Sequence, residues 1–294
     1  MEQNRFSTIG LIGKYSDSGV EKTLGGLAHH LRTREVAVLL DEATAEVVPG
    51  LGLETVSRKE LGQRCDLVIV VGGDGTLLNA ARSLADHEVA LLGVNLGHLG
   101  FLTDISPDCM ARCLDEILAG NFQEERRCLL HAAILHEGEV VTESNAFNDV
   151  VIHKWDIARM IEMETSINGV YVNTIRADGL IVATPTGSTA YALSGGGPIL
   201  YPSLEALVLV PICPHTMSNR PIVVHSSSTI EVMVAEHSQP YAQVTCDGQV
   251  NLGLTAGDQV VIKTSPRPVH LIHPAGHDHF KLLRAKLHWG RRLA

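Results

Sequence analysis

Three glycines surround a carboxylate at Gly72-Gly73-Asp74-Gly75-Thr76, directly after the apolar run DLVIVV at 66–71. Glycines let a backbone approach phosphate oxygens with no side chain in the way, and the helix start that should follow favours anions. An Asp in a phosphate cradle repels its ligand. It makes sense if it holds Mg²⁺ or accepts a proton from an attacking hydroxyl. The competing reading is a Gly-rich turn whose Asp caps the next helix. The chain has no GxxxxGK[ST] run, and no GxGxxG opens its first helix, so neither a Walker A loop nor the usual dinucleotide fingerprint is present.

Two further loops carry candidate chemistry. Asn95-Leu96-Gly97-His98-Leu99-Gly100-Phe101-Leu102 is a second Gly-rich turn after the next apolar run; by itself it is only a turn. The stretch DGLIVATPTGSTAY, from Asp178 to Tyr191, leads an apolar run into a loop dense in hydroxyls and backbone N–H groups. Such a loop can wrap the polar edges of a nucleotide, and the Tyr191 ring can stack on a base. The cluster His273, His277 and His279 invites a metal reading, but the sequence shows no supporting partner. We expect these histidines to be solvated or at a helix start, and no protein metal ligand is assigned. His215 and His225 are read as structural. Cys109 and Cys113 lie four apart with no second pair to complete a metal site, which reads as helix packing.

The elements that must position these loops follow from periodicity. Apolar runs at 7–13, 36–40, 66–71 and 89–94 alternate with helical spacing at 20–32, 76–84 and 107–118, with Leu24, Leu27 and Leu31 on one helical face. That order predicts an α/β N-terminal domain with a doubly wound, Rossmann-like parallel sheet. From about residue 124 to 271 the segments become short, β-branched and punctuated: 128–135, 150–153, 161–167, 179–183, 228–234, 243–246 and 259–263. This predicts a β-rich, sandwich-like C-terminal domain. The tail 280–289 reads as an amphipathic helix.

The chain of 294 residues has a formal net charge of −10, with 45% hydrophobic and 19% charged residues. The acidic balance argues against nucleic acid or an anionic membrane as partner, because both need a basic face. The N-terminus has no secretion-signal pattern and no run approaches a membrane span. The six cysteines are scattered, so we expect a reduced, cytoplasmic protein without disulfides.

Taken together, GGDGT, NxGxLGFLT, NDVVIH, DGLIVATPTGSTAYALSGGGP, PICPHTMSNRP and CDGQ occur in this order across nearly the whole chain. In this the sequence resembles the NAD kinases, most closely the bacterial branch. The resemblance implies an enzyme that phosphorylates the adenosine 2′-hydroxyl of NAD with ATP. In that reading Asp74 is the proton acceptor, and Gly72, Gly73, Gly75 and Thr76 accommodate the ATP phosphates. The NAD contacts implied are Asp74, Gly75, Asn148, Asp149, Arg159, Arg176, Asp178, Thr189, Ala190, Tyr191, Ala192, Leu193, Ser194 and Gln249, with Asp178 contributed from a neighbouring subunit. A bulky basic side chain at Arg176 implies preference for NAD over NADH. The resemblance also implies a divalent cation, Mg²⁺, bound with ATP, and a homo-oligomer, dimer or tetramer. It divides the chain into residues 1–122, with 275–294 packing back on them, and a β-rich NAD-binding domain at 123–274.

The first motif alone is shared with sugar and lipid kinases, and a non-catalytic dinucleotide-binding regulator would keep the same fold. NDVVIH and TPTGSTAY argue against the former, and an intact Asp74 against the latter.

Overall fold

The computed structural model describes residues 5–14, 19–97, 99–155, 159–238, 242–255 and 257–289. The chain forms two compact units, Met1–Arg126 with Val269–Ala294, and Arg127–Pro268. His98 and residues 290–294 lie outside the described residues.

The first unit is built on β1 (Thr8–Gly13), β2 (Ala37–Asp41), β3 (Glu54–Val56), β4 (Leu67–Val71), β5 (Ala90–Val94) and β6 (Phe122–Arg127). Its sheet runs β3-β2-β1-β4-β5, then the strand Val269–Pro274, then β6. Neighbours from β3 to Val269–Pro274 are parallel. The strand order reverses between β1 and β4, and ligands of open α/β sheets bind beyond the carboxyl ends of the strands at such a point. Every residue of β4 is buried, as its unbroken apolar run requires of a strand covered on both faces. Helices α1 (Gly19–Thr33), α2 (Glu42–Val47), α3 (Arg58–Arg64), α4 (Asp74–Ser83) and α5 (Met110–Leu118) connect the strands. Leu24, Leu27 and Leu31 of α1 are fully buried, the face their spacing predicts.

Some expectations needed correction. The helix read from residue 107 begins at Met110, because Pro107 sits in a preceding turn in which the Cys109 N–H donates to Ser106. Helices α2 and α3 and strand β3 were not anticipated; they are short and mostly polar, and α3 depends on a capping box between Ser57 and Glu60. The strand Val269–Pro274 pairs with β5 in the parallel sheet, whereas the sequence reading put it in the β-rich domain.

The second unit comprises β7 (Leu130–His136), β8 (Glu139–Ala146), β9 (Asp149–Lys154), β10 (Ile161–Ile167), β11 (Val170–Ala177), β12 (Gly179–Ala183), β13 (Ala206–Ile212), β14 (Ile222–His225), β15 (Ile230–Val234), β16 (Ala242–Cys246), β17 (Val250–Gly253) and β18 (Gln259–Thr264). They form two six-stranded antiparallel sheets, β11-β10-β15-β18-β7-β8 and β14-β13-β12-β9-β16-β17. Between these strands lies an apolar core that includes Leu130, Ile152, Met163, Leu180, Val232 and Ile262. Hairpins turn at Glu137-Gly138, Asn168-Gly169 and Asp247-Gly248, and all six of these residues have positive φ. Among the described residues no helix is long and apolar enough to cross a membrane.

Candidate active site

Asp74 is the first residue of α4, just past the end of β4, with Gly73 as the helix cap. The positive end of the helix dipole there lies just beyond the carboxyl end of β4. The carboxylate is held by the following loop. The Phe101 amide donates to Oδ2 at 2.8 Å, the Leu102 amide to Oδ1 at 3.0 Å and the Thr103 hydroxyl to Oδ1 at 3.3 Å. That loop is fastened by buried Asn95, whose amide side chain donates to the Thr103 carbonyl and accepts from the Gly97 N–H. A Cβ at Gly100 would collide with Asp74 Oδ1, so glycine is the residue that permits this approach. At Gly72 a Cβ would press on the Thr76 side chain, while Gly73 faces open space. The Asp is therefore not the helix cap: its two oxygens are oriented by three donors from a second loop.

In the second unit a cavity of about 360 Å³ is lined by Asn148, Asp149, Val151, His153, Ala190, Tyr191, Thr245, Asp247 and Gly248. Asp247 organises its floor. Its carboxylate accepts the amides of Phe147, Asn148 and Asp149 at 3.0, 2.7 and 3.2 Å. Three N–H donors complement its negative charge. Asp149 is buried beside it. Burial, with Asp247's charge as the lesser cause, pushes the Asp149 carboxyl up to about 7. The Tyr191 ring is half exposed at the rim, in reach of a stacking partner.

The hydroxyl-rich loop between β12 and Tyr191 turns out to serve itself. Thr184 Oγ1 donates to the Phe147 carbonyl and accepts from the Gly187 N–H. Ser188 Oγ donates to the Pro185 carbonyl and accepts from the Leu200 N–H, and the Thr189 hydroxyl donates to the Thr186 carbonyl. These groups shape the loop so that Ala190 and Tyr191 reach the cavity. Gly187 packs so close to Asn148 that a Cβ would collide with its carbonyl oxygen.

Of the residues expected at the site, Asn148, Asp149, Ala190 and Tyr191 line the cavity. Ala192 does not: it is fully buried in the apolar cluster with Ile181 and Val210. Thr189 and Leu193 are half-buried and Ser194 is exposed, none of them on the cavity wall. Arg159 is exposed, and Gln249 stands exposed at the turn after Gly248. Arg176 is exposed on β11 opposite Glu162. Asp178 pairs within its own chain with Lys154 at 2.6 Å. The cavity residues Val151, His153 and Thr245 escaped the sequence reading; they sit on strands whose alternation shows which face they share but not that the face is hollow. Of the histidines expected to be solvated or at a helix start, His273 and His277 have side chains only 1% and 4% exposed, while His279 does begin the C-terminal helix and is buried.

Comparison with known proteins fits both units. The ATP-NAD kinase N-terminal domain matches residues 11–122, and the ATP-NAD kinase C-terminal domain matches residues 147–274. NAD kinase of Nitrosococcus oceani is 51% identical over 288 residues, covering 98% of each chain. NAD kinase of Pseudomonas putida is 50% identical over 293 residues, covering 100% of this chain and 98% of the relative. The solved structure of yeast NADH kinase complexed with NADH has a TM-score of 0.89 and 25% identity, covering 99% of this chain and 91% of that one. An NAD kinase from Archaeoglobus fulgidus in complex with ATP has a TM-score of 0.75 and 28% identity, covering 96% and 98%. With both domains matched in order and relatives half identical over their full length, the chain belongs to the ATP-NAD kinase family.

Proposed function

We propose that this protein transfers the γ-phosphoryl group of ATP to the adenosine 2′-hydroxyl of NAD, giving NADP and ADP. The observation that carries this reading is the Asp74 carboxylate, oriented by the Phe101 and Leu102 amides at the end of a Gly-rich strand–helix turn. A ribose hydroxyl is a poor nucleophile at neutral pH, so a positioned carboxylate that takes its proton supplies roughly 10²–10⁴-fold in rate. The oxygen–phosphorus bond forms, the bond to the β-phosphate oxygen breaks, and the proton passes to Asp74. ATP enters as its Mg²⁺ complex, and the metal neutralises charge on the phosphates. Gly72, Gly73, Gly75 and Thr76 give the phosphates a backbone surface free of bulky side chains.

The cavity in the second unit binds the adenosine of NAD, with Tyr191 against the base and Asn148 and Asp149 as polar contacts. Arg159, Arg176, Asp178, Thr189, Leu193, Ser194 and Gln249 are outer contacts of the dinucleotide. Ala192 supports that surface from below. The protein works as a homo-oligomer; exposed Val140, Val141, Val170 and Tyr171 on the edge strands β8 and β11 support self-association. All six cysteines are free, which suits the reducing cytoplasm.

The test is a coupled assay on purified protein with NAD, MgATP and an NADP-dependent dehydrogenase. NADP formation that needs both substrates is expected. A 2′-deoxyadenosine analogue of NAD should bind and stay unphosphorylated. Phosphorylation of that analogue would place the acceptor hydroxyl elsewhere.

A further inference from the structure

Asp104, in the loop that follows β5, meets two histidines from the far end of the chain. His273 lies on the strand Val269–Pro274, and His277 lies just before the C-terminal helix His279–Leu287. Both imidazoles present Nδ1 to the same oxygen, Asp104 Oδ2, at 3.2 and 2.7 Å. The rings stack with centroids 3.9 Å apart. Their other nitrogens face one carboxylate, Glu125, at 3.7 and 4.0 Å. The cluster is buried, and among the described residues Asp104 Oδ1 and both Nε2 atoms have no hydrogen-bond partner. Buried polar atoms left this way are costly, so three in one cluster call for a cause.

If both Nδ1–H groups donate to Asp104, both Nε2 lone pairs point at a carboxylate, acceptor against acceptor. If both rings are protonated, two stacked cations are buried together. A metal ion removes both conflicts. Its charge takes the two Nδ1 lone pairs and an Asp104 oxygen, and both Nε2–H groups then point toward Glu125. Ligating histidines regularly give their second N–H to an outer carboxylate in this way. One candidate ligand atom from each of Asp104, His273 and His277 lies within 4.8 Å of the others. Two imidazoles and a carboxylate form a set suited to zinc-class ions and poorly suited to Mg²⁺, which prefers oxygen and keeps its water.

We propose that Asp104, His273 and His277 bind a divalent cation of the zinc class, with Glu125 as the outer carboxylate that orients both rings. The site clips the loop after β5 to the returning strand and the C-terminal tail. Asp104 directly follows Phe101, Leu102 and Thr103, the residues that hold Asp74. The C-terminal helix grips the same loop from another side, through Lys286 Nζ, which donates to the Leu99 carbonyl at 2.9 Å. The ion is therefore a positioning element, separate from the Mg²⁺ that arrives with ATP.

The test uses the tag-free, full-length protein, loaded with Zn²⁺ in excess, passed through a desalting column and assayed for metal by mass spectrometry. About one zinc per chain is expected, with a rise in Tm on loading, because an ion that binds only the folded state stabilises it. His277→Gln and Asp104→Asn, each checked for native circular dichroism, should lose most of that zinc and the Tm response. Co²⁺ in the wild type should give visible bands without a thiolate charge-transfer band, which separates this site from the cysteines even where a variant misfolds. No retained zinc in the wild type, a thiolate-type Co²⁺ spectrum, or undiminished zinc in both variants would overturn the proposal. In that case the cluster is an ion-pair network of imidazolium with two carboxylates.

Discussion

The Phe101 backbone N–H donates to Asp74 Oδ2 across 27 residues of chain, at 2.8 Å. The Leu102 amide does the same for Oδ1. The carboxylate is thus aimed by main-chain groups that no side-chain substitution deletes, and its orientation depends on the path of the loop. Asp74→Asn is nearly isosteric but cannot accept a proton. Its kcat should fall by about two to four orders of magnitude while NAD binding persists. Steady-state kinetics with isothermal titration of NAD checks both. A variant keeping a tenth of wild-type kcat would remove Asp74 from the role of base.

Gly100→Ala tests the same relationship from the other side. Its Cβ cannot share space with Asp74 Oδ1, so the loop or the carboxylate must move. Misplacing a catalytic group by about 1 Å can cost on the order of 10²-fold, so kcat should drop by that scale with little change in KM for NAD. Unchanged kcat would show that the loop gives way without disturbing the base.

Asp149 predicts a pH signature. Its carboxyl is pushed up to about 7 in the fold, against 3.8 when unperturbed. Because the folded-state value is the higher one, the stability it contributes is fully present below about pH 4 and is lost as pH rises through about 7. Asp149→Asn removes this dependence. The stability of the variant relative to wild type should climb between pH 5 and 8, by roughly 3 kcal/mol over that interval. The same substitution should raise KM for NAD above about pH 7, where the carboxylate is charged, because a charged hydrogen bond is worth about 1.5–3 kcal/mol. A pH-independent difference in Tm would separate Asp149 from this titration.

Gly187→Ala should be costly through packing alone. The added methyl would collide with the Asn148 backbone, which cannot shift without disturbing the hydrogen bonds that the Phe147, Asn148 and Asp149 N–H groups donate to Asp247. Overpacking of this kind costs about 1–3 kcal/mol or more, a drop of several degrees in Tm by calorimetry. A fall in Tm below one degree would show that the Asn148–Asp149 segment is softer than its hydrogen bonds suggest.

Arg176→Gly addresses the choice of dinucleotide. Arg176 is exposed on β11, and a surface pair with Glu162 across the strand would contribute little. If its guanidinium instead shapes the nicotinamide end of the site, the glycine variant should narrow the NAD/NADH ratio of kcat/KM, mainly by raising NADH use. Changes of pocket size on the scale of one methylene already move discrimination by about 1–3 kcal/mol. An unchanged ratio returns Arg176 to the surface.

Local pattern was enough for several elements that are buried on every side or along one stripe. The β4 run, the Leu24, Leu27 and Leu31 face, and the strands Ile161–Ile167 and Gly179–Ala183 were all legible, because burial selects residue type at a fixed period. The strands β8, β11, β13, β14 and β17 have no counterpart in the sequence reading, although Asn168-Gly169 marks a hairpin between β10 and β11. β8, β11, β14 and β17 are edge strands with one solvent-facing side, so their composition is mixed and their periodicity faint, whereas β13 is a continuous apolar run inside its sheet whose period alone does not separate strand from buried helix.

By itself the sequence determined the two fold classes, the Gly-rich turn that carries Asp74 and the family motifs around Asn148, Asp149 and Tyr191. Only the tertiary structure decided what those motifs hold. Asp247 takes amides from residues about a hundred positions away, the hydroxyls of the Thr184–Thr189 stretch turn inward, and Asp104 meets histidines 169 and 173 residues downstream. Periodicity and turn chemistry report interactions within a few residues of chain. Pairings at such separations exist only after folding has met the entropy cost of closing the intervening loops, and no local pattern records which distant group will be there.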